Sequence, residues 1–218
     1  MKAVFFDSID NTQDYALENF EQEPLLVVSY SQEKGRGTDN RDWENADQAL
    51  ACSLVFNEVP QDFIKTLIPL ISGYSYLETV SNIDLHLKWP NDILFNDAKV
   101  GGILVEEKDS KICIGMGINY FWENPKLPNA SGIYTEKLNG QILNNHALHW
   151  GELTLNTIQK NSFDLSEYKK KLTTLGKLIE YPEGRGWARD VNFDGSLSVE
   201  TISGEMINLT SPLISEVK

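Results

Sequence analysis

The chain has 218 residues, and its 19 Lys and Arg against 32 Asp and Glu give a formal charge of −13 at neutral pH. A hydrophobic fraction of 41% is enough to bury a core, which excludes a disordered chain, and the length allows one large domain, or one large domain with a small appendage. The acidic excess opposes general binding to nucleic acid, no apolar run reaches the length of a membrane span, and the N-terminus turns polar too soon for a secretory signal, so a cytoplasmic protein is expected.

Residues 4–6 read as a short strand, and residues 11–23 as a helix with Tyr15, Leu17 or Ala16, and Phe20 at helical spacing. Residues 25–30 form a second, buried strand. Residues 31–48 are almost wholly polar, hold two glycines and lack periodicity, so they form a long loop before the strand at 49–56. Loops of that length in a compact domain serve as lids or binding loops. Pro60 opens a helical pattern to about residue 81, which Pro69 and Gly73 should kink or split. Residues 84–89 alternate, with Leu85, Leu87 and Trp89 on one face and Asp84, His86 and Lys88 on the other. Residues 91–105 and 111–120 follow as antiparallel strands with turns at Asn96-Asp97 and Asp109-Ser110.

Residues 144–160 and 165–175 read as two further helices, and the densest basic run, Lys169-Lys170-Lys171, is a solvated face of the second. Beyond Gly176, short strands at 177–180, 187–192, 197–201 and 206–209 alternate with Pro-Glu-Gly, Asp-Gly and Ser-Gly turns, the texture of a small β-barrel. Two domains are therefore expected, 1–175 and 176–218. Cys52 and Cys113 lie far apart in apolar stretches and read as buried thiols. His146 and His149 stand one turn apart without a carboxylate or cysteine in register and read as helix surface. His86 reads as an exposed strand residue, and Phe121-Trp122 as core or subunit contact.

The loop runs Gln32-Glu33-Lys34-Gly35-Arg36-Gly37-Thr38-Asp39-Asn40-Arg41-Asp42-Trp43. Its glycines let backbone N–H groups approach an anion, Arg36 and Arg41 supply forked donors, and Trp43 offers a flat surface for a base. A lone Gly-Arg-Gly is weak evidence, since it recurs as Gly184-Arg185-Gly186 where a turn explains it. Its company strengthens it. Lys88-Trp89-Pro90-Asn91-Asp92 ends a strand in a proline that aims Asn91 and Asp92 beyond the sheet edge, and Lys99 follows with Gly101 and Gly102 in a strand. The strand at 112–120 puts Ile112, Ile114, Met116 and Ile118 on one face and Cys113, Gly115, Gly117 and Asn119 on the other. The second face is a bare strip on which a flat, mostly apolar ligand with one polar end could lie.

Together GRGTDNRDW, KWPND, KVGGILVE and GMGINY, with IDNTQD upstream, resemble the biotin protein ligase family of the biotin/lipoate ligase superfamily, strongly over residues 4–120. The resemblance implies an α/β fold with a mixed, mainly antiparallel sheet flanked by helices, and a small C-terminal SH3-like β-barrel. It also implies a two-step reaction. Biotin's carboxylate attacks the α-phosphate of Mg-ATP to give biotinyl-5′-AMP, and a lysine of a biotin carboxyl carrier domain then takes the biotinyl group. By the same match, Lys99 bridges the biotin carboxyl and the α-phosphate, and Arg36 and Arg41 belong to the closing loop. Asn11, Thr12, Gln13, Gln32 and the backbone of Gly35, Arg36, Gly37 and Thr38 hold the ureido ring, while Gly102, Leu104, Gly115 and Gly117 flank the apolar part. Trp43, Asn91 and Asn119 lie on the nucleotide side with Arg41 and Lys99, and Asp92 holds or deprotonates the acceptor lysine. The magnesium ligands are left open, as is a homodimer.

Asn11 and Gln13 depart from the family's usual Ser and Asn, and Thr38 stands where many members carry arginine. The alternatives are a lipoate or octanoate ligase, whose Arg-Arg-x-Ser-Gly-Gly-Gly type loop has no match here, and a non-catalytic biotin-binding paralogue or repressor. The motif pattern begins at Val4, so the DNA-binding module that some members carry ahead of it is not expected.

Overall fold

A computed structural model describes residues 1–38, 43–210 and 214–216. Two hairpins organise its centre. Asn96 and Asp97 both take positive φ, 49° and 62°, as do Asp109 and Ser110, 51° and 63°. Two-residue turns of this hand match strand twist, and Asn and Asp tolerate the left-handed region better than other side chains. The turns join β5 (Asp92–Phe95), β6 (Ala98–Lys108) and β7 (Lys111–Phe121) where the sequence placed them.

The same sheet holds β1 (Lys2–Phe6), β2 (Leu25–Ser29), β3 (Gln48–Phe56) and β4 (His86–Lys88) in the spatial order β1-β2-β3-β7-β6-β5-β4. Only β1 and β2 pair in parallel, so the mixed, mainly antiparallel sheet is as expected. Helices α2 (Ile68–Thr79) and α3 (Gly140–Gln159) pack on one face and supply Leu70, Ile71, Tyr76, Leu143, Ala147 and Trp150 to the main core. On the other face α1 (Thr12–Asn19) buries Ala16 in a smaller cluster with Val27, Val55 and Cys113.

The expected break at Pro69 does not occur. Pro69 sits in the first turn of α2, where a missing N–H leaves no hydrogen bond unmade, and Gly73 lies inside the helix against Leu87. A 3₁₀ turn, Lys65–Leu67, precedes it in place of the helix expected from Pro60. α4 (Leu165–Lys170) is shorter than expected, since the chain at 171–173 leaves it to bond along β4 through Leu87.

The C-terminal strands are β8 (Leu178–Tyr181), β9 (Gly184–Val191), β10 (Leu197–Thr201), β11 (Met206–Leu209) and the unexpected β12 (Ser215–Glu216). They form an antiparallel sheet in the order β11-β10-β9-β8-β12. A closed barrel was expected, but among the described residues this sheet is open. Its two-residue last strand pairs only with Ile179 and Glu180 and does not reach β11. The sheet rests on the first through Trp89, whose indole donates to Gly195 O at 2.9 Å. Among the described residues no helix is long and apolar enough to cross a membrane.

Candidate active site

The β6–β7 register sets three rungs on the face turned toward α1: Gly102 opposite Gly117, Leu104 opposite Gly115, and Glu106 opposite Cys113. The rungs are not bare, as the sequence suggested. A Cβ on Gly115 would collide with the Gln13 carboxamide, and one on Gly117 would fall 2.8 Å from the Trp43 ring. The glycines are there so that side chains from α1 and the loop can lie against the strand. Gly101 has a different reason, because a Cβ there would meet Ile118 and the backbone of Gly117, both parts of the neighbouring strand.

A cavity of about 430 Å³ runs along these rungs. At one end Asn11, Thr12 and Gln32 are interlocked. Asn11 caps α1, its Oδ1 accepting from Gln13 N at 2.9 Å and Asp14 N at 3.1 Å, and its Nδ2 donates to Lys34 O at 2.9 Å. Such a cap is worth about 1 kcal/mol. The side chain expected to meet a ligand is thus engaged with backbone at both ends. Thr12 donates from N at 2.7 Å and from Oγ1 at 2.9 Å to Gln32 Oε1, and Ser53 donates to Thr12. Glu33 N and Lys34 N bond back to Ile9 O and Asp10 O, so the first half of the long loop is stitched to the start of α1.

Arg36 lines the cavity, but its guanidinium turns to acids. It forks onto Asp14 at 2.9 and 2.7 Å and reaches Glu106 Oε2 at 3.0 Å. The fork holds the Asp14 carboxyl below its usual range and pushes the Arg36 pKa up. Gly37 and Thr38 also line the cavity, whereas Gly35 is buried behind it and accepts from Trp43 N at 2.9 Å. Arg41 lies outside the described residues.

At the other end Lys99 Nζ sits 2.5 Å from Asp92 Oδ1 and 5.9 Å from the centre of the Trp43 ring. Asn91 Nδ2 donates to Ile103 O at 2.9 Å and to Thr38 Oγ1 at 3.2 Å, joining the KWPND turn to the glycine loop. Asn119 is 4% exposed, lines the cavity, and its Oδ1 has no hydrogen-bond partner among the described residues. A buried acceptor left unpaired carries a cost of about 1–3 kcal/mol that a donor on a bound molecule would remove.

Several features escaped the sequence reading. Trp122, Leu127 and Ala130 also wall the cavity, brought there because Lys99 N donates to Asn129 O at 2.7 Å and Ser131 N to Lys99 O at 3.0 Å. That pairing joins irregular backbone to a strand and leaves no periodic signal. Trp122 therefore faces the cavity rather than core. His146 is not helix surface: its Nδ1 lies 2.8 Å from the Tyr120 hydroxyl, which accepts from Tyr76 at 3.0 Å, and burial followed by the nearby His149 lowers its pKa.

One slot thus brings together the glycine loop, the KWPND turn and the glycine face of β6 and β7, with the Lys99–Asp92 pair at one end. Residues 5–119 match the model of the biotin/lipoate A/B protein ligase family. The chain belongs to that family. It is 32% identical over 140 residues to the bifunctional ligase/repressor BirA of Bacillus spizizenii, a match covering 57% of this chain and 42% of that protein. The chain thus spans less than half the length of that relative. It is 26% identical over 195 residues to the biotin--[acetyl-CoA-carboxylase] ligase of Mycobacterium tuberculosis, covering 81% of this chain and 73% of that one. Among solved structures, the Aquifex aeolicus biotin protein ligase in complex with biotin and ATP superimposes with a TM-score of 0.81 at 25% identity, over 100% of this chain and 99% of that one.

Proposed function

We propose that the chain is a biotin protein ligase that makes biotinyl-5′-AMP from biotin and ATP and transfers the biotinyl group to a lysine of a biotin carboxyl carrier domain. The observation that carries this reading is the Lys99–Asp92 pair at 2.5 Å, at the end of a slot whose opposite end is lined by hydrogen-bonding groups. A carboxylate is a poor acyl donor, so it must be activated before an amine can displace anything from it. In the first step a carboxylate oxygen of biotin attacks the α-phosphorus, and the bond to the β-phosphate breaks to release pyrophosphate. Lys99 moves from Asp92 to the reacting oxygens and stabilises the charge that builds there. In the second step the acceptor amine attacks the acyl carbon and AMP leaves with the bonding electrons. Asp92, no longer paired with Lys99, takes the proton from the acceptor ammonium.

Magnesium arrives on the ATP phosphates as part of that substrate. The unpaired Asn119 Oδ1 accepts from the adenine amino group, and Trp43 packs beside the base. Thr12, Gln13, Gln32 and the backbone of Gly37 and Thr38 face the ureido ring, and Leu104 covers its apolar body. Residues 1–175 form the catalytic unit and residues 176–218 a separate small β unit; the charge of −13 supports a partner that is protein rather than nucleic acid.

Incubation with biotin, Mg-ATP and a purified carrier domain, followed by intact-mass spectrometry, tests this. Addition of one biotinyl group to the carrier, dependent on ATP, is expected. An unmodified carrier together with no biotin-dependent pyrophosphate exchange overturns the reading.

A further inference from the structure

Glu106 closes the KVGGILVE motif but was given no role in the sequence reading, and it does not line the cavity. It occupies the last rung of the ligand face, opposite Cys113, two residues beyond Leu104 on the same side of β6. Its Oε2 accepts from Gln13 Nε2 at 2.8 Å and from Arg36 at 3.0 Å. It is the joint at which α1, the glycine loop and β6 meet.

The pairing fixes a polarity. A carboxylate beside an arginine accepts hydrogen bonds and does not donate, so the end of the Gln13 side chain that faces Glu106 must be its NH₂ group. The carbonyl end is then turned to Gly115, where a Cβ would collide with Oε1, and Gln13 is 5% exposed and lines the cavity. Without Glu106 either end of the amide could face the strip. The Cys113 thiol, opposite Glu106 in the register, also meets the Gln13 side chain by a hydrogen bond, and it brings no charge, because burial, reinforced by the Glu106 charge, pushes its pKa up to about 12.

We propose that Glu106 is a positioning residue that sets the ring end of the cavity as a hydrogen-bond acceptor, by holding Gln13 with Oε1 toward the ligand and Arg36 with its loop in place. The proposal rests on the biotin reading, since a ureido ring carries two N–H groups that an acceptor can read. A ligand in which one ring N–H is replaced by N–CH₃ loses that partner, and the penalty for the loss is what Glu106 maintains.

The test is Glu106→Gln, which keeps size and shape but can donate to Gln13 as well as accept from it, with Glu106→Asp as the charge-retaining control. Biotin and a ring N-methylated biotin are titrated into wild type and both variants by calorimetry, and the KM values for biotin and ATP are taken from pyrophosphate exchange. Expected for Glu106→Gln is about a tenfold weaker affinity for biotin with the preference over the N-methyl analogue reduced by a similar factor, while the KM for ATP moves less than about twofold. Glu106→Asp restores part of the preference. An unchanged preference in a Glu106→Gln protein that binds biotin overturns the proposal, as does equal loss of biotin and ATP affinity, which marks a merely structural residue. If the Gln variant fails to fold, the preference of Glu106→Asp decides: a value below wild type supports the proposal and an equal value overturns it. Wild type that binds no biotin is a separate result and overturns the functional reading instead.

Discussion

The tripeptide Gly-Arg-Gly occurs twice, and the two copies share nothing but spelling. In the loop, Gly35 is buried under Trp43 and Gln32, Gly37 lines the cavity, and Arg36, its side chain 26% exposed, is forked onto Asp14 and shared with Glu106. In β9, Arg185 is half exposed and pairs with Glu180 on the neighbouring strand β8, while Gly186 is a packing glycine whose Cβ would fall 2.5 Å from Glu200 O. The first copy joins three elements that are far apart in sequence. The second decorates one hairpin. A short motif therefore acquires meaning from what its side chain can reach: partners 22 and 70 residues away in one case and 5 in the other.

The comparison is sharpest where the first copy borders the chemistry. Lys99→Ala should cut biotin-dependent pyrophosphate exchange by about 10²–10³, the range seen when a group that stabilises developing charge is removed. Arg185→Ala should leave the exchange rate unchanged. Exchange near wild type in Lys99→Ala would remove the lysine from the reaction.

The second copy is expected to matter for stability alone. Gly186→Ala drives a methyl into the backbone of β10 and into Val199, for a loss of about 1–3 kcal/mol in urea unfolding, with the KM for biotin unaltered. Arg36→Ala should do the reverse, raising the KM for biotin about tenfold because the loop loses the Arg36 bridge to Asp14 and Glu106. Its stability should fall by less than about 1 kcal/mol, since the ion pairs involved are partly solvated. Equal stability losses at both positions would erase the distinction drawn between the copies.

What could be read from sequence follows the same division between local and distant. The hairpin turns, the split of β7 into a core face and a ligand face, and the presence of a second β unit rest on neighbouring residues, and the structure has them where they were expected. Pro69 was misread because a proline inside a pattern and a proline that starts one look alike until the helix start is known. The candidate site divides likewise. Lys99, Asp92, Asn91 and the glycines were legible in motifs, and all but Gly35 and Gly101 border the cavity. The orientation of Arg36 was not, because Glu106 is 70 residues away, and its place at the end of KVGGILVE does not say which side chain it meets. The expectation of a bare strip failed for a related reason: a glycine announces that something comes close, without saying whether it is a ligand or Trp43.

The smallest expected effect concerns the acid that faces the first copy. Arg36 holds Asp14 below its ordinary 3.8, chiefly through the side-chain hydrogen bond. A carboxyl whose folded pKa is depressed contributes stability that is fully present above the unfolded value. That contribution fades as pH falls below about 3.8 and is gone once the folded form is also protonated. Asp14 is 52% exposed at its side chain, so the contribution is modest, about 0.5 kcal/mol. Unfolding free energies of wild type and Asp14→Asn should therefore differ at pH 6 and converge as the pH falls below 3.8 into strong acid. Because Glu106 shares Arg36, the measurement belongs in a Glu106→Gln background, where the remaining acid on the guanidinium is Asp14. A gap between the two proteins that persists unchanged into strong acid would show that the effect of Asp14 does not come from its charge, and so not from Arg36.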